Sequence, residues 1–143
     1  MKQIERIHLL SRADALKPLR HILSGLIKNY EFSIESANNI IMALNEACMN
    51  IIQHAYGDQD NGEIIIDIFK LDKGMLIRVV DYATHSDISK IKSRNLDEVR
   101  PGGLGVHLIH SLVDKVEYKN LKNESGNMLE LYKIFDNDEC VKG

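Results

Sequence analysis

The chain has no tryptophan, two prolines and two cysteines, and only 6% of its 143 residues are aromatic. Two cysteines supply neither a disulfide framework nor a thiolate metal cluster. Cys48 falls on an apolar stripe and Cys140 in a polar tail, so a bridge between them is not expected. No apolar run approaches the length that crosses a bilayer. The first residues, MKQIERIHLL, mix charge into their apolar positions, unlike a signal peptide. These absences point to a cytoplasmic protein without membrane contact. Basic charge is also lacking: 18 Lys and Arg against 21 Asp and Glu leave a net charge of −3. That argues against nucleic acid as a direct partner, because phosphate binding wants a basic face. What is present is ordinary for a globular protein, with 44% hydrophobic and 27% charged residues. The length suits a single domain, 1–143, with a core of its own.

Periodicity places the elements. Residues 2–10 alternate apolar and polar as an edge strand does. Asp14 is a candidate cap for a helix in which Leu19, Ile22, Leu23, Leu26 and Ile27 make one apolar face through about Tyr30. Pro18 is tolerated near its start, where N–H groups lack internal partners. Ser33 is a candidate cap for a second helix. There Ile34, Ala37, Ile40, Ile41, Leu44, Ala47, Cys48, Ile51, Ile52 and Ala55 recur at three- and four-residue steps. Gly57 ends that helix by taking a left-handed conformation. GEIIIDIFKL and MLIRVVDY, joined by DKG, read as an antiparallel hairpin. Residues 84–101 are a long polar loop with Lys90, Lys92, Arg94 and Arg100. A glycine-rich GGLG, a short helix VHLIHSLVD and a second hairpin, KVEYKNLK and MLELYKIF, complete the chain. The order β-α-α-β-β-loop-α-β-β predicts an α+β two-layer sandwich, a mixed but mostly antiparallel sheet with three helices on one face.

Four features carry chemistry. Glu46 and Asn50 sit opposite the apolar stripe of the second helix, one turn and about 6 Å apart along its axis. Taken alone, such a pair is an ordinary solvated face. It also suits a Mg²⁺ ion that already carries phosphate, with Asn50 offering a neutral oxygen and Glu46 accepting a proton from an attacking hydroxyl. Asp81 ends an apolar strand; an ionised carboxylate there accepts hydrogen bonds, so it suits the amine of adenine and repels the carbonyl of guanine. RPGGLGV precedes a helix, where glycines let N–H groups approach an anion. A Walker loop is excluded by the missing Lys-Ser or Lys-Thr, and a dinucleotide fingerprint by Leu108 at its third glycine. His107, His110 and Asp114, at i, i+3 and i+7, have a metal-compatible spacing but read first as a solvated face. His54, one turn after Asn50, could orient the site but reads first as a structural residue, and Tyr56 packs at the helix end.

In this order the features resemble the histidine kinase-like (GHKL, Bergerat-fold) ATPases, and among them the small anti-sigma-factor serine/threonine kinases. NEACMNIIQHAYG is similar to the family's N box, VVDYATHSD stands where its D-x-G box falls, PGGLGVHLIHSLVDKVEY resembles its glycine box, and GNMLELYKIF its terminal strand. The resemblance implies ATP and Mg²⁺ as ligands. It implies Glu46 as general base and Asn50 as the Mg²⁺ ligand. Asp81 would read adenine, with Ala83 and Met128 beside the base. Gly102, Gly103, Leu104, Gly105 and Val106 would form the phosphate loop. Residues 84–101 would be a lid from which Arg100 neutralises the γ-phosphate. Ala83 replaces the family's glycine, Met128 its threonine, and His85-Ser86 its Pro-Phe. The implied partners are a sigma factor and an anti-sigma-factor antagonist, with a homodimer as an option. The alternatives are a nucleotide-binding module that acts by protein–protein contact with little transfer, and a phosphotransferase or ATP hydrolase subunit of another signalling system. A complete histidine kinase is disfavoured, since no phosphoacceptor-histidine domain is present.

Overall fold

The computed structural model describes residues 1–83, 103–122 and 124–136. Strand β1 (Lys2–Leu10) leads through a 3-10 turn into helix α1 (Leu16–Ile27) and then α2 (Ile34–Asn50). Next come strands β2 (Glu63–Lys70) and β3 (Gly74–Asp81), helix α3 (Gly103–Leu112) and strands β4 (Lys115–Asn120) and β5 (Asn127–Ile134). The sheet order is β1-β2-β3-β5-β4. The α+β sandwich and its three helices are as the periodicity predicts. The sheet differs in one respect: among the described residues every strand pairing is antiparallel rather than mixed.

Alternation decides which face is covered. Ile64, Ile66 and Ile68 of β2, Ile77 and Val79 of β3, and Leu129 and Leu131 of β5 form one buried cluster with Leu19, Leu23 and Ile27 of α1 and Ile40, Leu44 and Cys48 of α2. Burial pushes the Cys48 thiol up to about 12, which makes it an inert core group. The opposite face carries charge in register. Arg6 pairs with Asp67, Asp67 lies opposite Arg78, and Arg78 lies opposite Glu130. Ion pairs of 2.6 Å (Arg6–Asp67) and 2.9 Å (Arg78–Glu130) run along this row, with Lys119 adding one to Glu130 at 3.2 Å. A slip of one residue would turn these charges into the core, so the row and the isoleucines specify the same register.

Local signals explain the helix ends. Ser33 caps α2, its Oγ accepting from Ser36 N–H at 3.0 Å. Gly57 takes φ 58°, as its place after the helix predicts. Asp14 does not cap α1: it pairs with Arg12 at 2.8 Å, and Ala15 holds the cap position. Ile22 and Ile34, which periodicity assigns to the apolar faces, are 44% and 83% exposed. Both lie at the margin of their stripes.

Burial separates two aliphatic truncations. Leu44→Ala, at a fully buried site, should cost about 3 kcal/mol, whereas Ile22→Ala should stay within about 0.5 kcal/mol. Urea unfolding of the two variants measures this directly.

Candidate functional site

Helix α2 does not stop at Asn50. A π-helical turn, Ile51–Ala55, continues it, closed by Tyr56 N–H donating to the Ile51 carbonyl at 2.9 Å. The wide turn rotates the residues after it away from α-helical spacing, a device common at functional sites. Asn50 sits at the junction, and Glu46 lies one turn before it. Both are half-buried, and neither side chain hydrogen-bonds to another described residue. On the same helix Ala43, Leu44, Ala47 and Cys48 are buried in the core. Helix α3 packs against α2 and begins at Gly103, the first glycine of the described part of the loop.

Asp81 ends β3 on the helix-covered face and is 3% exposed. Its Oδ1 accepts from the Ala83 N–H at 3.0 Å and from Asn127 Nδ2 at 3.0 Å. Asn120 Nδ2 in turn donates to Asn127 Oδ1 at 2.9 Å, which fixes the Asn127 amide with its nitrogen toward the acid. One carboxylate oxygen is thus held by the protein, and a relay of three residues orients it. Gly126 makes the close approach feasible: at φ 141°, a Cβ there would lie 2.5 Å from the Asp81 carbonyl oxygen.

Two features read from sequence change their meaning here. Met128 pairs with Val80 on the opposite face of the sheet from Asp81, so it is not beside the carboxylate. Asn127 is the residue that is, and sequence reasoning missed it. The signal was available: Leu129 and Leu131 are the core-facing residues of β5, and Asn127 shares their parity. Ala83 is buried with its N–H on Asp81 and its carbonyl accepting from Ser125 Oγ at 2.7 Å. Its φ is not positive, since Asp58 is the sole non-glycine of that kind among the described residues. An alanine therefore costs no backbone strain where the resemblance calls for glycine.

The remaining candidates divide by position. Gly102, Arg100 and the lid over 84–101 lie outside the described residues, as does Cys140. Gly103, Leu104, Gly105 and Val106 form the first turn of α3. Asp114 is committed to the fold, its Oδ2 accepting from Ile134 N–H at 2.7 Å, and His110 packs at a tilt against Tyr118 with centroids 6.3 Å apart. No group of three metal-binding side chains occurs among the described residues. His54 is exposed on the π turn. No described helix is long and apolar enough to cross a membrane.

The five-stranded antiparallel sheet with three helices, one bearing Glu46 and Asn50 and one beginning at Gly103, has the architecture of a histidine kinase-like domain. The family model of the histidine kinase-like ATPase domain matches residues 9–133. The serine-protein kinase RsbW of Oceanobacillus iheyensis is 31% identical over 128 residues, 84% of this chain and 79% of that protein. The serine-protein kinase RsbW of Bacillus subtilis is 27% identical over 137 residues, 87% and 84% of the two chains. Among solved structures, the RsbU and RsbW domains of Rv1364c from Mycobacterium tuberculosis superpose with a TM-score of 0.65 at 16% identity, covering 92% of this chain and 33% of that one. The histidine kinase AdeS of Acinetobacter baumannii gives 0.53 at 12% identity, covering 94% and 70%. The chain belongs to the histidine kinase-like ATPase family and, within it, groups with the RsbW proteins.

Burial raises the Asp81 carboxyl above the usual carboxylate range, opposed by the hydrogen bonds from Asn127 and Ala83. A raised folded-state pKa means that the folded chain holds this proton more tightly than the unfolded chain. Stability from this group is therefore full at low pH and is lost as pH rises through the folded-state value. Asp81→Asn keeps an oxygen for both donors and should raise the melting temperature at neutral pH, the gain shrinking in acid. Thermal unfolding across pH checks this, and a lower melting temperature at neutral pH contradicts it.

Proposed function

We propose that the chain is an ATP-dependent protein serine/threonine kinase that phosphorylates an anti-sigma-factor antagonist and that also binds and restrains a sigma factor. The observation that carries the nucleotide half is the buried Asp81 carboxylate. One of its oxygens is held by Asn127 and Ala83, and its acceptor character suits the exocyclic amine of adenine. The kinase half draws on the resemblance to proteins named serine-protein kinase RsbW.

The residues present fit ATP with Mg²⁺. Asn50 offers an uncommitted amide oxygen at the end of α2, and one protein oxygen suits an ion that keeps waters and phosphate ligands. When bound, the ion offsets charge on the phosphates. Glu46 takes the proton from the hydroxyl of the incoming serine or threonine. That oxygen forms a bond to the γ-phosphorus while the bond from phosphorus to the β,γ-bridging oxygen breaks, and ADP leaves. The N–H groups at the start of α3, opened by Gly103 and Gly105, would hold phosphate oxygens, where the helix dipole is favourable. Arg100, by the same resemblance, neutralises the γ-phosphate with its fixed fork of donors. Positioning and charge neutralisation carry most of the acceleration in such transfers.

Incubation of the chain with labelled ATP, Mg²⁺ and a candidate antagonist tests the proposal. Transfer to the antagonist should fall by about a hundredfold or more in Glu46→Ala, with ATP affinity retained. ATP binding without transfer by the unaltered chain would replace the kinase with a binding module.

A further inference from the structure

The hydroxyl of Tyr56 occupies an unusual place. Ile64 and Asp81 are the last paired residues of β2 and β3, so Glu63 and Tyr82 would form the next rung. They do not bond to each other. The Tyr56 hydroxyl stands between them, donating to the Glu63 carbonyl at 2.6 Å and accepting from the Tyr82 N–H at 2.8 Å. One hydroxyl thus satisfies both backbone groups and holds the two strands apart at the rung beside Asp81.

The seat for this side chain is built. A Cβ on Gly62 would lie 2.6 Å from the Tyr56 ring, so only a glycine there lets the ring lie flat. Gly62 is itself pinned: its N–H donates to Ser11 Oγ at 2.9 Å, and its carbonyl accepts from Ser11 N–H at 2.8 Å. Ser11 is 1% exposed. The π turn after Asn50 delivers the tyrosine to this seat.

The effect reaches the carboxylate in two steps. Tyr56 fixes the Tyr82 peptide, and the next N–H along the chain, that of Ala83, holds Asp81 Oδ1. We infer that Tyr56 is a positioning residue for base selection: its hydroxyl sets the backbone whose N–H aims the Asp81 carboxylate, and it ties that strand end to the helix that carries Asn50. The inference rests on Asp81 as the base-reading group. Without the hydroxyl, the Glu63 carbonyl and Tyr82 N–H can close on each other. Tyr82 then shifts, and the Ala83 N–H shifts with it.

Calorimetry of the full chain with ATP and with inosine triphosphate, each with Mg²⁺, tests this. Inosine replaces the exocyclic amine by a carbonyl that an ionised carboxylate repels. The unaltered chain should prefer ATP. In Tyr56→Phe that preference should fall by about tenfold, the size of one hydrogen bond's net contribution. Gly62→Ala keeps the hydroxyl but displaces the ring, and should lower the same ratio. An unchanged ratio in both variants overturns the role of Tyr56, and so does an equal loss for both nucleotides alongside a lower melting temperature, which marks a merely structural tyrosine. If the unaltered chain shows no preference, the Asp81 reading fails first, and the inference falls with it.

Discussion

Helix α2 can present a site because it is held by its other side. Ala43, Leu44, Ala47 and Cys48 share one buried cluster with the isoleucines of β2 and the leucines of β5. Burying large aliphatic side chains such as these isoleucines and leucines contributes roughly 1.5–3 kcal/mol each, enough to fix the rotation of the helix about its axis. Glu46 and Asn50 are placed as a result of that rotation. A helix free to roll would leave the acid and the amide without a fixed position.

The sheet contributes differently on its two faces. Its covered face supplies the floor for the helices and, at the end of β3, the buried Asp81. Its other face carries the row Arg6, Asp67, Arg78 and Glu130, stacked with an Arg78–Phe69 contact at 4.9 Å. These pairs join largely buried acids, Asp67 and Glu130, to more exposed arginines. Here they matter for register, since β3 and β5 must align so that Asn127 comes opposite Asp81. A slip by one residue would bring Met128 there and leave a buried carboxylate without its donor.

The site also shows how backbone geometry is used where side chains would not fit. Gly126 allows the β5 backbone to approach the Asp81 carbonyl, and Gly62 leaves room for a tyrosine ring. The π turn widens the end of α2 so that the ring arrives at the strand ends. Gly126 adjoins Asp81 and the π turn follows Asn50, while Gly62 seats the tyrosine that bonds the residue after Asp81. Side chains on regular elements are aimed by such local irregularities.

Much was legible in the linear chain because it depends on local spacing. The stripe of α2, the Ser33 cap, the Gly57 stop and the hairpins follow from periodicity and turn chemistry, and the acid–amide pair follows from the pitch of a helix. Other features were not legible. The sequence marks Tyr56 only as a helix-end residue, since its partners at positions 63 and 82 meet it only when the sheet and helix pack. The exposure of Ile22 and Ile34 at the margins of the apolar faces was likewise not legible. The choice of Asn127 over Met128 required the pairing of β3 with β5, a contact between segments 46 residues apart in the chain. Residue types and their periods determine which elements form and which face each buries. Which side chains meet at the end of those elements is decided by strand register and helix rotation, because both are set by burial across the whole core.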